Sequence, residues 1–265
     1  MKVTLNYRKS ALENASELFG KAKELKAKAA GAREALIQTE KEIAQIEKER
    51  TKEAAKPREI TLRVKREKKW FEKFRYFTAS NGSLCIGGKD ATQNEQLVSK
   101  YFEDEDLFFH ADIQGGSVVI MKNGVTALTD DSSGTGAHAL SEAAQFAASY
   151  SNAWKNGNAN VDVYCVKRSQ VAKHAHGGFL PKGGFAIEGE RTWFRGTTLG
   201  IEIGMVDDVA CAFPERLKEK PEKKVGIIPG AKERGDAARE ISKQLGCHLD
   251  DILALLPPGS VKIQR

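Results

Sequence analysis

The longest pattern in the chain is a seven-residue repeat. Ala15, Ala22, Ala29, Leu36 and Ile43 recur at one seam position, and Ala11, Leu18, Leu25, Ala32, Thr39 and Ile46 at the other. Residues 8–54 hold no Pro and only two Gly, and are rich in Ala, Glu and Lys. About five heptads with an apolar seam predict a coiled coil. A helix of ~40 residues is roughly 60 Å long, so this is an arm projecting beyond a globular domain. Gly20 and Gly31 fall off the seam and leave the stripe intact. Pro57 breaks the helix, since it lacks an amide donor. Residues 58–75 carry eight basic and three acidic residues and read as a shorter, basic return leg that covers part of the seam.

Beyond residue 73 the period shortens. Alternating runs on either side of Asn81-Gly82 predict a hairpin with a two-residue type I′ turn. Gly87-Gly88-Lys89 leads to Asp90, an N-cap for a helix to about Phe102. DLFFHADIQGGSVVIMKNG predicts strands at 107–113 and 117–122. HALSEAAQFAASYSNAW predicts a core helix, and VDVYCVKR a buried strand. Strands follow in GGFLPKGGFAIEGERTWFRG and LGIEIGMV. After the charged stretch KEKPEKK, a strand ends at Pro229-Gly230, an amphipathic helix closes at Gly246, and a short helix stops at Pro257-Pro258. The expected class is α+β: a mixed β-sheet domain with flanking helices, preceded by a long coiled-coil arm. The expected divisions are 1–72 for the arm, 73–215 for the central domain, and 216–265 for a β-α-α extension packed on it, too small for its own core.

Charge sharpens this division. The 265 residues carry a formal +6. Residues 1–75 net +9, residues 76–215 net −7, and residues 216–265 net +4. A basic excess on the arm and tail suits an anionic partner such as RNA, or simply a solvated face. No apolar run approaches the ~18 residues of a membrane span. The four cysteines are scattered and form no C-x-x-C, so no zinc site or disulfide framework is expected, and reduced thiols suit a cytoplasmic protein.

Four groups of residues offer chemistry. Lys65, Arg66, Lys68 and Lys69 concentrate charge on the return leg. In GGKDATQN, glycines before a helix N-terminus free amides for a phosphate and Lys89 supplies charge, although neither the P-loop nor the dinucleotide fingerprint matches. An ordinary glycine turn and cap explains the same residues. His110 and Asp112 alternate on one strand and could pair, ligate a metal or act as acid and base, but no third ligand is evident. Residues 167–195 interleave Lys173, Lys182, Arg191 and Arg195 with His174, His176, Trp193 and Phe194 in a glycine-rich run. Cations beside rings suit RNA backbones and unstacked bases, though Trp193 and Phe194 could equally fill a core.

Three ordered motifs, WFEKFRYFTASNGSLCIGGKDATQNEQLV, DLFFHADIQGGSVVIMKN and SQVAKHAHGGFLPKGGFAIEGERTWF, closely resemble the RNA-binding NFACT-R domain of the NFACT proteins. The likeness spans about 57–215. The Ala-rich helix resembles the family's coiled-coil arm, and the tail resembles archaeal members. The resemblance implies an adaptor, not an enzyme. Members bind the large ribosomal subunit carrying a stalled chain, through its rRNA, and recruit tRNA for C-terminal tailing. No cofactor, metal or membrane partner is expected. Lys89, Asp90, Gln93, Asn94, His110 and Asp112 carry over as motif residues. Full-length relatives begin with an NFACT-N domain that this sequence lacks, so a separate NFACT-N protein is an implied partner for tailing. Self-association or partner binding through the Ala-rich seam without RNA is the alternative. A hydrolase using His110 and Asp112 ranks last.

Overall fold

A computed structural model describes residues 4–54, 67–129, 134–173, 182–218 and 220–264. The chain divides into two compact units, Met1–Leu62 and Arg63–Arg265.

The first unit is one helix, α1 (Ala11–Ala54). Its start is a reciprocal cap. The Ser10 amide donates to Glu13 Oε2 at 2.7 Å and the Glu13 amide donates to Ser10 Oγ at 3.3 Å, which satisfies two donors that a helix start leaves orphaned. Hydrogen bonds from the Ser10 hydroxyl and amide also hold the Glu13 carboxyl below its usual range. Glu17–Lys21 and Glu24–Lys28 add ion pairs one turn apart at 3.3 and 2.7 Å. The seam residues Leu18, Leu25, Leu36 and Ile43 are exposed. A surface helix that leaves its apolar stripe in water lacks the packing that stabilises most helices in proteins.

The expected return leg over 58–75 lies outside the described residues as far as 66, and Lys65 and Arg66 with it. Its end is different from the expectation. Trp70–Lys73 is a 3-10 turn and Arg75 opens the first strand. Trp70 stacks on Tyr101 at 4.4 Å, which draws this segment onto the sheet domain.

The second unit contains, in order, β1 (Arg75–Thr78), β2 (Leu84–Gly87), α2 (Ala91–Lys100), β3 (Leu107–Ala111), β4 (Val119–Met121), α3 (Val125–Thr129), α4 (Thr135–Ser149), α5 (Asn152–Lys155) and β5 (Asn160–Lys167). There follow β6 (Val171–Ala172), β7 (Ala186–Ile187), β8 (Thr192–Thr198), β9 (Ile201–Val206), β10 (Val209–Pro214), β11 (Lys224–Lys232), α6 (Arg234–Leu245), α7 (Leu249–Leu255) and β12 (Val261–Ile263). The α+β class with a leading helix is as expected. The strand directions are not mixed: every described pairing is antiparallel. A six-stranded sheet runs β1-β2-β4-β3-β5-β8, and a four-stranded one runs β10-β9-β11-β12.

Alternation on the strands builds two cores. Leu107 and Phe109 of β3, with Cys85, Met121 and Cys165, face one side. Phe108, with Ile86, Ile120, Tyr164 and Val166, faces the other. α4 fills the first side, between the large sheet and β9–β11, and is buried nearly all round. Its Ala139, Ala143, Ala144 and Ala147 keep that approach close. α2 covers the second side with Leu97 and Val98. Burial pushes the Cys85 thiol well up and that of Cys165 up to about 12, so both are inert core groups.

Local chemistry moved several edges. The β1–β2 hairpin forms, but not through a two-residue turn. The Ala79 amide bonds Ser83 O at 2.9 Å and the Gly82 amide bonds Ala79 O at 2.8 Å, with Gly82 at φ 84°. This is a three-residue loop in which only Gly82 must be left-handed, and Ser80 bonds the buried Glu142 of α4 instead. The strands expected to reach 113 and 122 end at Ala111 and Met121. β11 runs through Pro229 to Lys232 on a bulge opposite Val261, because β12, absent from the sequence reading, pairs with it.

Candidate nucleic-acid interface

One end of the α2-side core opens into a cavity of about 460 Å³. Lys89, Asp90 and Asn94 reach it from the start of α2, His110 from β3, and Lys182 from the segment before β7. The structure thus brings together five residues singled out in three separate motifs.

The α2 start is built from the inside. Asp90 Oδ1 accepts the Gln93 amide at 2.9 Å, and Gln93 Oε1 accepts the Lys89 amide at 3.1 Å. Asn94 is buried, and its Oδ1 accepts the Val118 amide at 3.3 Å. Gly88 is required here, because a Cβ on it would lie 2.1 Å from Asn94 Oδ1. Asp90, Gln93 and Asn94 therefore set the loop, and Lys89 is the member of the group whose charge is left to the cavity. Burial, then the nearby Arg75 and Lys68, lowers the Lys89 pKa.

His110 lies beside Gly116, whose missing side chain makes room for the ring. Burial lowers the imidazole pKa, while the Ala111 backbone and the Asp112 carboxylate oppose the shift. Asp112 itself is exposed beyond the end of β3, and among the described residues no hydrogen bond or ion pair joins it to His110. No group of three or more His, Cys, Asp or Glu among the described residues could hold a metal.

The sequence reading missed several cavity residues. Arg75 donates to Gly88 O at 3.0 Å and lies 4.3 Å from the centre of the Tyr150 ring. Phe108, Phe185 and Tyr164 line the wall with Gly115, Gly116 and Gly183. Alternation from His110 would have marked Phe108. Tyr164 needs the β3–β5 register, which pairs it with His110. Arg75 and Tyr150 carry no local signal.

Arg191, Trp193 and Arg195 lie outside the cavity but on the same sheet face. Tyr164 pairs with Trp193 across β5–β8, with ring centres 5.5 Å apart. Arg191 sits 4.6 Å from the Tyr164 ring and Arg195 4.0 Å from that of Trp193. A bulge in β8 sets Arg195 and Gly196 opposite Asp162, whose carboxylate accepts Gly196 N at 2.7 Å and Arg195 Nη1 at 2.6 Å. Those bonds, the Gly196 amide first, hold the Asp162 carboxyl below its usual range. Phe194 turns to the α4 side beside Phe109, as core. Lys68, Lys69 and Lys173 are exposed and do not line the cavity, and His174 lies outside the described residues. No helix among the described residues is long and apolar enough to cross a membrane.

These features describe an α+β domain with a cavity bearing cations and aromatic rings. Residues 73–189 match the family model described as the NFACT protein RNA binding domain, and this part of the chain belongs to that family, as the three motifs implied. The relative described as Archaeal Rqc2 homolog aRqcH, from Methanocaldococcus jannaschii, is 36% identical over 216 residues, covering 78% of this chain and 31% of its own length. The Ribosome quality control complex subunit NEMF homolog of Drosophila melanogaster is 36% identical over 148 residues, covering 56% of this chain and 14% of its own. The Ribosome quality control complex subunit NEMF of Homo sapiens is 30% identical over 176 residues, covering 64% and 16%. The chain thus spans about a third or less of the length of these relatives.

Proposed function

We propose that the chain is an RNA-binding adaptor of ribosome-associated quality control. It binds the large ribosomal subunit, tRNA or both during rescue of stalled chains in the cytoplasm, and supports C-terminal tailing when joined to an NFACT-N partner. In this reading residues 1–72 are the arm, 73–215 the RNA-binding domain and 216–265 its extension. The relatives are named as subunits of ribosome quality control complexes, and the reading assigns no catalytic step.

The observation that carries the reading is local charge against a contrary background. Residues 75–215 net −6, yet the cavity gathers Arg75, Lys89 and Lys182, and the adjoining sheet edge adds Arg191 and Arg195. Concentrated cations on an acidic domain favour an anionic partner at that place. Filter binding of the chain to tRNA and to purified large subunits tests it. Retention at low salt that falls steeply as salt rises is expected. No retention at low salt overturns it.

A second reading has its own observation, the exposed Leu18, Leu25, Leu36 and Ile43 of α1. A helix carrying such a seam binds another helix. Defined oligomers in light scattering, together with no RNA affinity, would favour a protein–protein module instead.

A further inference from the structure

The cavity wall has two chemistries. One part is cationic, with Arg75, Lys89 and Lys182, and the other is planar and largely apolar, with Phe108, His110, Tyr164 and Phe185. Among the described residues no carboxylate forms an ion pair with any of the three cations. Asp90, the acid in the lining, accepts the Gln93 amide, and its charge offsets only part of theirs, acting on Arg75 without an ion pair. Among the described residues the buried Arg75 Nε has no hydrogen-bond partner. Like charges gathered in a partly dry space repel one another, and burial first, then the charges of Arg75 and Lys68, lowers the Lys89 pKa. An anion between them relieves that repulsion. A guanidinium beside two ammonium groups suits phosphate oxygens.

The planar wall does not end at the cavity mouth. Phe108 and His110 lie nearly parallel, 12° apart, with ring centres at 6.3 Å. His110 to Tyr164 is 5.9 Å and Tyr164 to Trp193 is 5.5 Å. The rings cross from β3 through β5 to β8, the outermost strand of the large sheet, where Arg191 and Arg195 flank them. Rings on neighbouring strands with cations between them give unpaired bases a stacking surface and their phosphates a partner. The cavity volume of about 460 Å³ fits one small ligand unit and is far too small for a duplex.

We propose that this cavity holds one unstacked nucleotide of a single RNA strand. Its phosphate lies on Arg75, Lys89 and Lys182, its base lies among Phe108, His110 and Phe185, and the next base lies on the Tyr164–Trp193 surface. The proposal rests on the RNA-binding reading above and narrows it to single-stranded substrate. A free nucleotide shares the chemistry of the cavity but not that of the surface leading out of it.

Fluorescence anisotropy at low salt tests this with the 265-residue chain. The probe is an end-labelled single-stranded RNA of about ten nucleotides. Its competitors are a blunt duplex of the same length and each ribonucleoside 5′-monophosphate. Thermal midpoints confirm that each variant folds, and Lys89 and Lys182 are exposed, so their reversal leaves the fold intact. Lys89→Glu with Lys182→Glu is expected to weaken single-strand binding by roughly tenfold or more, and Trp193→Ala by roughly fivefold or more. The duplex should compete roughly tenfold less well than the single strand. If the duplex competes equally, or if both variants bind as wild type, the cavity proposal is overturned, while salt-dependent retention of tRNA leaves the adaptor reading standing. If a monophosphate competes as well as the strand, the cavity is a free-nucleotide site and the strand proposal is overturned. If neither tRNA nor the labelled strand is retained at low salt, both readings fall.

Discussion

Gly116 faces the His110 ring so closely that a Cβ on it would lie 2.9 Å from both Cε1 and Nε2. Gly116 packs against the ring at the cavity wall, and Phe108 lies nearly parallel to it with centres 6.3 Å apart. Gly116→Ala is expected to drive His110 from its position and cost about 1–3 kcal/mol, the usual range for overpacking. Adding His110→Ala should recover much of that loss. Urea denaturation of both singles and the double variant measures the coupling. Additive losses would mean that the ring is not what the new methyl meets.

His110 also sets a pH dependence. Its ordinary pKa of 6.5 is lowered in the folded chain, chiefly by burial. The unfolded chain therefore binds the proton more tightly than the folded one. This contribution to stability is complete above pH 6.5 and declines as pH falls from there through the lowered folded value. His110→Gln should flatten that part of the profile. Urea midpoints of both proteins between neutral and mildly acidic pH check it, and parallel profiles would rule out His110 as the source.

Asn94 answers to a different accounting. Its Oδ1 is the acceptor for the Val118 amide in a buried place. Asn94→Ala leaves that donor unsatisfied, at a cost of about 1–3 kcal/mol. Thermal unfolding should show it, and hydrogen exchange should speed first at the Val118 amide.

The basic leg can be separated from the sheet domain by charge reversal. Reversing Lys65, Arg66, Lys68 and Lys69 is expected to weaken tRNA or subunit binding and to lower the salt slope by about one for each phosphate no longer neutralised. A second set at Lys173, Lys182, Arg191 and Arg195 asks whether the domain binds independently. Affinity unchanged at low salt in either set identifies that face as merely solvated.

The α1 seam makes a prediction with two signs. Leu18, Leu25 and Leu36 are exposed, so replacing all three with Glu should alter the domain's unfolding free energy by no more than about 0.5 kcal/mol per site. The same change should abolish any self-association seen by light scattering. Oligomers that persist would place their interface elsewhere.

What could be read in advance was whatever a short stretch of chain determines. The α1 heptads, the Asp90 cap and the Gly246 stop at φ 74° are local, and each appears where the residues put it. The NFACT-R motifs also identified the family, because ordered strings of residues survive without any knowledge of contacts. The hairpin turn was misjudged because Glu142, 62 residues from Ser80, competes for the loop's polar groups. β12 was invisible because three residues acquire strand character only from β11 beside them. Of the cavity, Lys89, His110 and Lys182 were visible as charged or titratable residues in glycine-rich settings. Arg75, Tyr150 and Tyr164 were not, since their role depends on which strands and helices lie side by side.

Pro258 lines the same cavity as Arg75, although the two stand at opposite ends of the sheet domain's sequence. A site closed by such distant segments cannot exist in a partly made chain. As the protein itself emerges from a ribosome, β1 and α2 are synthesised long before the tail that completes the wall. Contacts of this sequence separation slow folding. A ligand that touches both ends stabilises only the domain in which both are folded.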